Sequence, residues 1–249
     1  MDIASLSMSV LTVLLGAIAI TFVGIFLGLG FKGIDRKLAA HMQGRIGPPI
    51  RQPFLDVRKL LVKESIVPEN AIDWVFNLVP VLGLGATITI LLYLPIGGLP
   101  SVLDGVLSAK GDLLVILYLL ILPSLAMVVG GFASGSPYAT VGAQREMATM
   151  IAYEFPLAII IISLAWRLSL VEGVTNVFAL STLLSTPIWA VVGPLGFIGA
   201  IILLLALVIV TPAELSKIPF DSPEAETEIA DGLMVEYSGR NLAMFYLAD

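Results

Sequence analysis

The sequence predicts an all-α, polytopic transmembrane helix bundle, and three observations carry that prediction. Apolar residues make up 58% of the 249 residues, and the mean hydropathy is +1.01. Charged residues make up only 13%, against about 25% in an ordinary soluble domain. Those charges are gathered into a few stretches. Between them lie charge-poor runs able to cross a hydrocarbon core of about 30 Å, which takes roughly 20 helical residues. A soluble chain of this size needs more charge to wet its surface. Composition therefore argues against a free-standing globular enzyme, a disordered protein or a nucleic-acid binder. The net charge of −6 provides no basic footprint for nucleic acid. Nothing suggests the alternation of a closed barrel.

The elements follow in order along one membrane domain, residues 1–249. The first charge-free run, residues 3–31, is read as a span near 5–31. The opening MDIASLSMSV lacks the basic region of a signal peptide, and no A-x-A-like site follows, so this run is expected to stay as an anchor. The second span is expected near 74–97, with Pro80 at its start and the breaker Gly97-Gly98…Pro100 at its end. The third is expected near 113–131, stopping at Gly130-Gly131, and the fourth near 147–167, interrupted by Glu154. Residues 173–213 are too long for one helix. Pro187 and Gly193-Pro194 divide them into a short outer segment and a fifth span near 190–212. A sixth helix begins within 241–247. The connecting cytoplasmic loops are then 32–73, 132–146 and 213–240.

Basic residues set the expected orientation. Lys32, Arg36, Lys37, Arg45, Arg51, Arg58, Lys59 and Lys63 all lie between the first two spans. If that connection is cytoplasmic, Arg145, Lys217 and Arg240 are cytoplasmic too, and only Lys110 and Arg167 fall outside. Eleven of the 13 basic residues then obey the positive-inside rule, with the N-terminus outside. No fixed-period repeat and no inverted symmetry of a transporter is visible.

Three segments between the spans carry chemistry. In the first, residues 33–64, Pro48-Pro49 imposes an extended stop, and Phe54, Val57, Leu60 and Leu61 recur on one helical face. This is an amphipathic helix lying at the interface or beneath a partner, though a basic loop touching anionic lipid stays open. In the second, residues 131–154, Gly, Ser and Pro make a tight loop and Arg145-Glu146 open a helix. Glu154 follows about 12 Å further along that helix. An ionisable residue at membrane depth is a functional candidate by default, with a structural ion pair or a snorkelling side chain as the plainer alternatives. In the third, Glu214, Asp221, Glu224, Glu226, Glu228, Asp231 and Glu236 crowd into 23 residues beside one lysine, Lys217. Interleaved Ile218, Phe220, Ile229, Leu233, Met234, Val235 and Tyr237 argue against a purely solvated loop. Carboxylates facing a partly dry cavity cannot all ionise, which is the chemistry of a proton relay. A solvated acidic loop stays open.

Cysteine is absent and His41 is the single histidine, so this chain offers no disulfide, iron–sulfur or Cys/His zinc ligation. Redox chemistry linked to it belongs on another subunit. His41 is read as an interface or surface residue, and Trp74 and Tyr93 as interfacial anchors or packing.

The ordered set of motifs resembles a known family. The pieces are Asp35-Arg36-Lys37, Gln43-x-Arg45-x-Gly47-Pro48, Gly131-Phe132-Ala133-Ser134 and Ala152-Tyr153-Glu154. They continue with Pro219-Phe220-Asp221, Glu224-x-Glu226-x-Glu228 and Val235-Glu236-Tyr237-Ser238-Gly239. Together they resemble the membrane subunit beneath the peripheral arm of respiratory complex I, the family of the H subunit (chain 1) of NADH–quinone oxidoreductase. That family includes the equivalent subunits of energy-converting (group 4) NiFe hydrogenases and formate hydrogenlyases. The stretch Gly47-Pro48-Pro49-Ile50-Arg51-Gln52-Pro53 lacks the Gly-Pro-rich insert of quinone-reducing members, and Asp35 stands where Glu is more usual. Both features resemble the ferredoxin-linked hydrogenase branch. A sulfur-reducing relative and the quinone-binding subunit of a complex I-type enzyme stay open.

The resemblance implies eight spans, hence three beyond those present here. It implies a carboxylate relay of Glu154, Glu214, Glu224, Glu226 and Glu228, flanked by Asp221 and Glu236. It implies that Arg36, Arg45 and Arg145, with Asp35, Lys37 and Glu146, modulate charge and seat the peripheral arm. It implies H⁺ or Na⁺ translocation in the cytoplasmic membrane of a bacterium or archaeon. The partners implied are hydrogenase large and small subunits, iron–sulfur subunits, antiporter-like membrane subunits and the bilayer, with ferredoxin as indirect electron donor. No cofactor is expected on this chain, and the iron–sulfur clusters and NiFe centre belong to those partners. A secondary transporter and a passive anchor that conducts nothing are the competing classes.

Overall fold

In the computed structural model, which describes residues 3–94, 111–174 and 176–248, every regular element is helical. The helices are α1 (Ile3–Met42), α2 (Gln52–Val62), α3 (Asp73–Tyr93), α4 (Leu113–Ala133) and α5 (Pro137–Ser169). They continue as α6 (Leu180–Ser185), α7 (Ile188–Val191), α8 (Pro194–Glu214), α9 (Glu226–Ile229) and α10 (Gly239–Ala248). Among the described residues, five helices are long and apolar enough to cross a membrane: α1 from Leu14, then α3, α4, α5 and α8. The expected breaker at 97–100 and Lys110 lie outside the described residues.

Local chemistry starts and stops these helices. Proline occupies the first turn of α2, α5 and α8, where a missing N–H costs nothing. Asp112 caps α4 by accepting from the Leu114 N–H at 2.8 Å. Several boundaries differ from the sequence reading; α3, for one, ends at Tyr93 rather than near 97. α1 runs straight through Lys32, Asp35, Arg36 and Lys37 to Met42, so residues 32–42 are helix rather than loop. Charge ends the membrane there, not the helix. α5 starts at Pro137, so Arg145 and Glu146 do not open it but lie more than two turns inside. The fifth span is shifted a little, to 194–214.

α3 packs along α4, α4 along α5, and α8 against α5, while α10 lies across α3 and α2. The core joining α3, α4 and α10 is Phe76, Val79, Ala126, Tyr237 and Phe245. Tyr237 stacks on Phe76 with ring centroids 4.1 Å apart and meets Phe245 edge-on at 4.8 Å. Gly130 permits this close approach, because a Cβ there would stand 2.5 Å from the Tyr237 hydroxyl. Gly232 has φ +50°, and a Cβ would collide with the Pro223 carbonyl. The amphipathic helix α2 buries Pro53 and Val57, and Phe54 meets Phe26 of α1 at 5.4 Å. Part of its apolar face therefore packs within the chain, while Leu61 stays exposed. Large apolar side chains along α1, α4 and α8 remain exposed, as a bilayer or neighbouring helices require.

Candidate functional site: buried carboxylates beneath an acidic cap

On α5, Glu146, Met150, Tyr153, Leu157 and Ile160 fall on one helical stripe, which faces α4 and α8. Glu146 lies on it with 1% of its surface exposed. One of its carboxylate oxygens accepts from the Ser216 Oγ at 3.4 Å. The other, Oε1, is buried with no hydrogen-bond partner among the described residues. Ser124 of α4 stands beside the same carboxylate, and the Tyr153 hydroxyl donates to Ser124 Oγ at 3.2 Å. Glu214 closes α8, and its Oε1 is likewise buried without a partner among the described residues. Leu117, Leu157, Val210 and Ala213 wall the cluster. Two carboxylates and three hydroxyls thus meet where α4, α5 and α8 join, with no basic side chain bonded to either carboxylate among the described residues. An ion buried without a counter-charge costs several kcal/mol, so such a pair marks function rather than stability.

Ser216 reaches Glu146 because its backbone is left-handed, at φ +47°. For a residue with a Cβ that conformation costs about 1–3 kcal/mol and persists only where its surroundings impose it.

The acidic segment forms a cap over this corner. It folds as a 3₁₀ turn (Ser222–Glu224), α9, and a second 3₁₀ turn (Gly232–Met234). Ile229, Leu233 and Tyr237 are buried, which anchors the segment, while Asp221 and Glu228 point outward. Arg145 clamps it, donating to the Ser222 carbonyl at 3.1 Å and to Glu228 at 2.7 Å. Glu224 and Glu236 are half-buried, and the Glu226 side chain lies outside the described residues. The Tyr237 hydroxyl is buried without a partner among the described residues, and burial pushes its ionisation above the usual tyrosine range.

Glu154 sits next to Tyr153 but turned away from the stripe, half-buried. It borders an apolar groove of about 480 Å³ along the outer face of α4 from Val115 to Leu125.

At the basic end, Arg36 bonds Asp56 of α2 at 3.0 Å, and Gln52 Nε2 donates to the other oxygen of Asp56 at 2.9 Å. Lys32 lies 3.8 Å above the Tyr246 ring. These cations tie α1 to α2 and α10. Asp35, Lys37, His41 and Arg45 are exposed.

The pattern of the NADH dehydrogenase family matches residues 13–249. The chain belongs to that family, which is the family of the H subunit of complex I. It is 34% identical over 230 residues to an NADH-quinone oxidoreductase H subunit of Koribacter versatilis, covering 87% of this chain and 51% of that one. It is 33% identical over 254 residues to the corresponding H subunit of Anaplasma phagocytophilum, covering 95% and 71%. Among solved structures it is similar to a chain of the membrane-bound sulfane sulfur reductase, an archaeal respiratory membrane complex. The TM-score there is 0.80 at 31% identity, over 95% of this chain and 73% of that one. The chain thus spans about half to three quarters of the length of these relatives.

Within this family's fold the expected residues divide into three groups. Glu146 is buried inside α5, with its carboxylate accepting from Ser216. Asp221, Glu224, Glu228 and Glu236 form the outer cap, and Glu154 stands apart on the groove. Arg36 is engaged with Asp56 of α2 within the chain. The sequence alone does not single out Ser124, Tyr153, Ser216 or Asp56 as site residues. The seven-residue spacing from Glu146 to Tyr153 is the available signal, since it puts both on one face. Among the described residues no group of three or more His, Cys, Asp or Glu is placed to hold a metal ion. With no cysteine at all, the chain's residues do not fit an iron–sulfur or NiFe centre.

Proposed function

We propose that the chain is the membrane-anchor and coupling subunit of a ferredoxin-linked, membrane-bound NiFe hydrogenase complex in a prokaryotic cytoplasmic membrane. It links proton reduction in a peripheral arm to H⁺ or Na⁺ translocation. The observation that carries this reading is the buried pair Glu146 and Glu214, with orphaned oxygens beneath the acidic cap. A carboxylate in a dry pocket without a basic partner is satisfied by an exchangeable cation, and its occupancy responds to charge placed nearby. Asp221, Glu224, Glu226, Glu228 and Glu236 collect the cation at the surface, and Arg145 holds the cap over the inner pair. Glu154 lies further along α5, on another side of the helix from the inner pair, and takes the cation on towards neighbouring subunits. Asp35, Lys37 and Arg45, exposed at the basic end, bind the arm. The redox centres, and the antiporter-like subunits, are the partners'.

The branch assignment draws on the short Gly47–Pro53 connection. The likeness to a sulfane sulfur reductase supports a sulfur-reducing complex as the second reading. Purifying the complex with its partners separates them. A large subunit with two Cys-x-x-Cys pairs at a nickel site supports the hydrogenase, loss of one pair the sulfur-reducing relative, and a bound quinone refutes both.

The coupling role is tested by Glu154→Gln in the intact complex. Ion uptake is expected to fail while electron transfer continues. Full ion uptake in that variant removes Glu154 from the path and favours a passive anchor.

A further inference from the structure

Glu154 presents a problem that the described residues of this chain do not solve. It lies about 25 Å along α5 from Pro137 and about 13 Å from Arg145, beside the first half of the 21-residue span α4. Its carboxylate has no hydrogen-bond or ion-pair partner among the described residues. Beside it the α4 face from Val115 to Leu125 forms an apolar groove of about 480 Å³. That face is about 15 Å long, room for nearly three turns of a helix. It is open: Tyr118 is 65% exposed, and Leu122 and Leu125 are exposed too. Lipid chains would satisfy the groove but not the carboxylate, because a polar group facing hydrocarbon at this depth is costly.

We infer that this groove seats a transmembrane helix of a separate membrane subunit, which brings a lysine or arginine opposite Glu154. The inference rests on the chain being part of a multi-subunit membrane complex, as proposed above, but not on Glu154 carrying ions. Charge complementarity selects the partner. The groove offers one negative group in an otherwise apolar face, and a basic side chain within an apolar helix is its complement. The same pair fixes the register of the docked helix, since a shift by one turn leaves both charges unpaired.

The test uses the intact complex in native membranes. A photo-cross-linking amino acid replaces Tyr118 or, in a second variant, Leu122, and the cross-linked peptides are identified by mass spectrometry. The expected product joins this chain to a membrane-spanning peptide of another subunit that contains Lys or Arg. In the Glu154→Gln background its yield should drop at least severalfold, and changing the identified basic residue to an uncharged one should do the same. Adducts only with lipid, with a second copy of this chain, with a further segment of this chain, or with a peptide lacking Lys and Arg overturn the inference. The read-out is a cross-link rather than ion uptake, so its failure leaves the coupling role to be judged separately.

Discussion

The Ser216 hydroxyl donates to Glu146 at 3.4 Å across 70 residues of sequence, joining the end of α8 to the interior of α5. It is the one hydrogen bond that the Glu146 carboxylate receives from the acidic side of the corner among the described residues. At 3.4 Å it is long for an O–H···O bond and contributes at the low end, about 0.5–1 kcal/mol. Ser216→Ala removes the donor without adding bulk. Coupled ion uptake by the complex in proteoliposomes should then slow about two- to fivefold, while redox turnover with the ion gradient collapsed changes little. Unchanged uptake would mean that this bond is structural only.

Gly130 and Tyr237 make a sharper packing prediction. A Cβ at Gly130 meets the Tyr237 hydroxyl at 2.5 Å, and the ring is held by Phe76 and Phe245. Gly130→Ala should destabilise the protein by about 1–3 kcal/mol through overpacking. Tyr237→Phe should be neutral or stabilising alone, because the buried hydroxyl has no partner among the described residues. Combining the two should restore most of the loss in a thermal-unfolding double-mutant cycle. A double variant no better than Gly130→Ala contradicts this packing.

The clamp on the acidic cap should be weak at Glu228 and stronger at Arg145. The Glu228 side chain is 63% exposed, so its ion pair contributes about 0–1 kcal/mol and is screened by salt. Glu228→Gln should leave the melting temperature of the purified complex nearly unchanged at high salt. Arg145→Ala also loses the bond to the Ser222 carbonyl and should cost more, by about 1 kcal/mol. A large loss in Glu228→Gln that salt does not reduce would show that the pair carries more than its exposure allows.

The helices are legible in the sequence where physics is local. Charge-free runs locate the spans because the bilayer tolerates few ions, and the Phe54–Leu61 periodicity locates α2. The charges at Lys32–Lys37 mark the edge of the membrane and not the end of α1, and no glycine or proline interrupts that helix between Ile34 and His41. Ser136-Pro137 carries the start of α5, since proline suits the first turn, but the nearby glycines suggest a longer loop. The site is legible only in part. Clustered carboxylates are visible, yet their division into a buried pair and an outer cap is not. That division depends on which side of α5 meets α4 and α8, and on the φ of one residue, Ser216. The Arg36–Asp56 pair, likewise, is a tertiary contact between α1 and α2 that no local spacing encodes.

The most direct test of the coupling role is the ratio of ions moved to electrons transferred in proteoliposomes, measured for Glu146→Gln and Glu214→Gln. Both substitutions keep size and one acceptor oxygen while removing the exchangeable charge. The ratio should fall towards zero in each, with the complex assembled and electron transfer still running. A ratio equal to that of the unmodified complex in both variants would contradict a role for the buried pair.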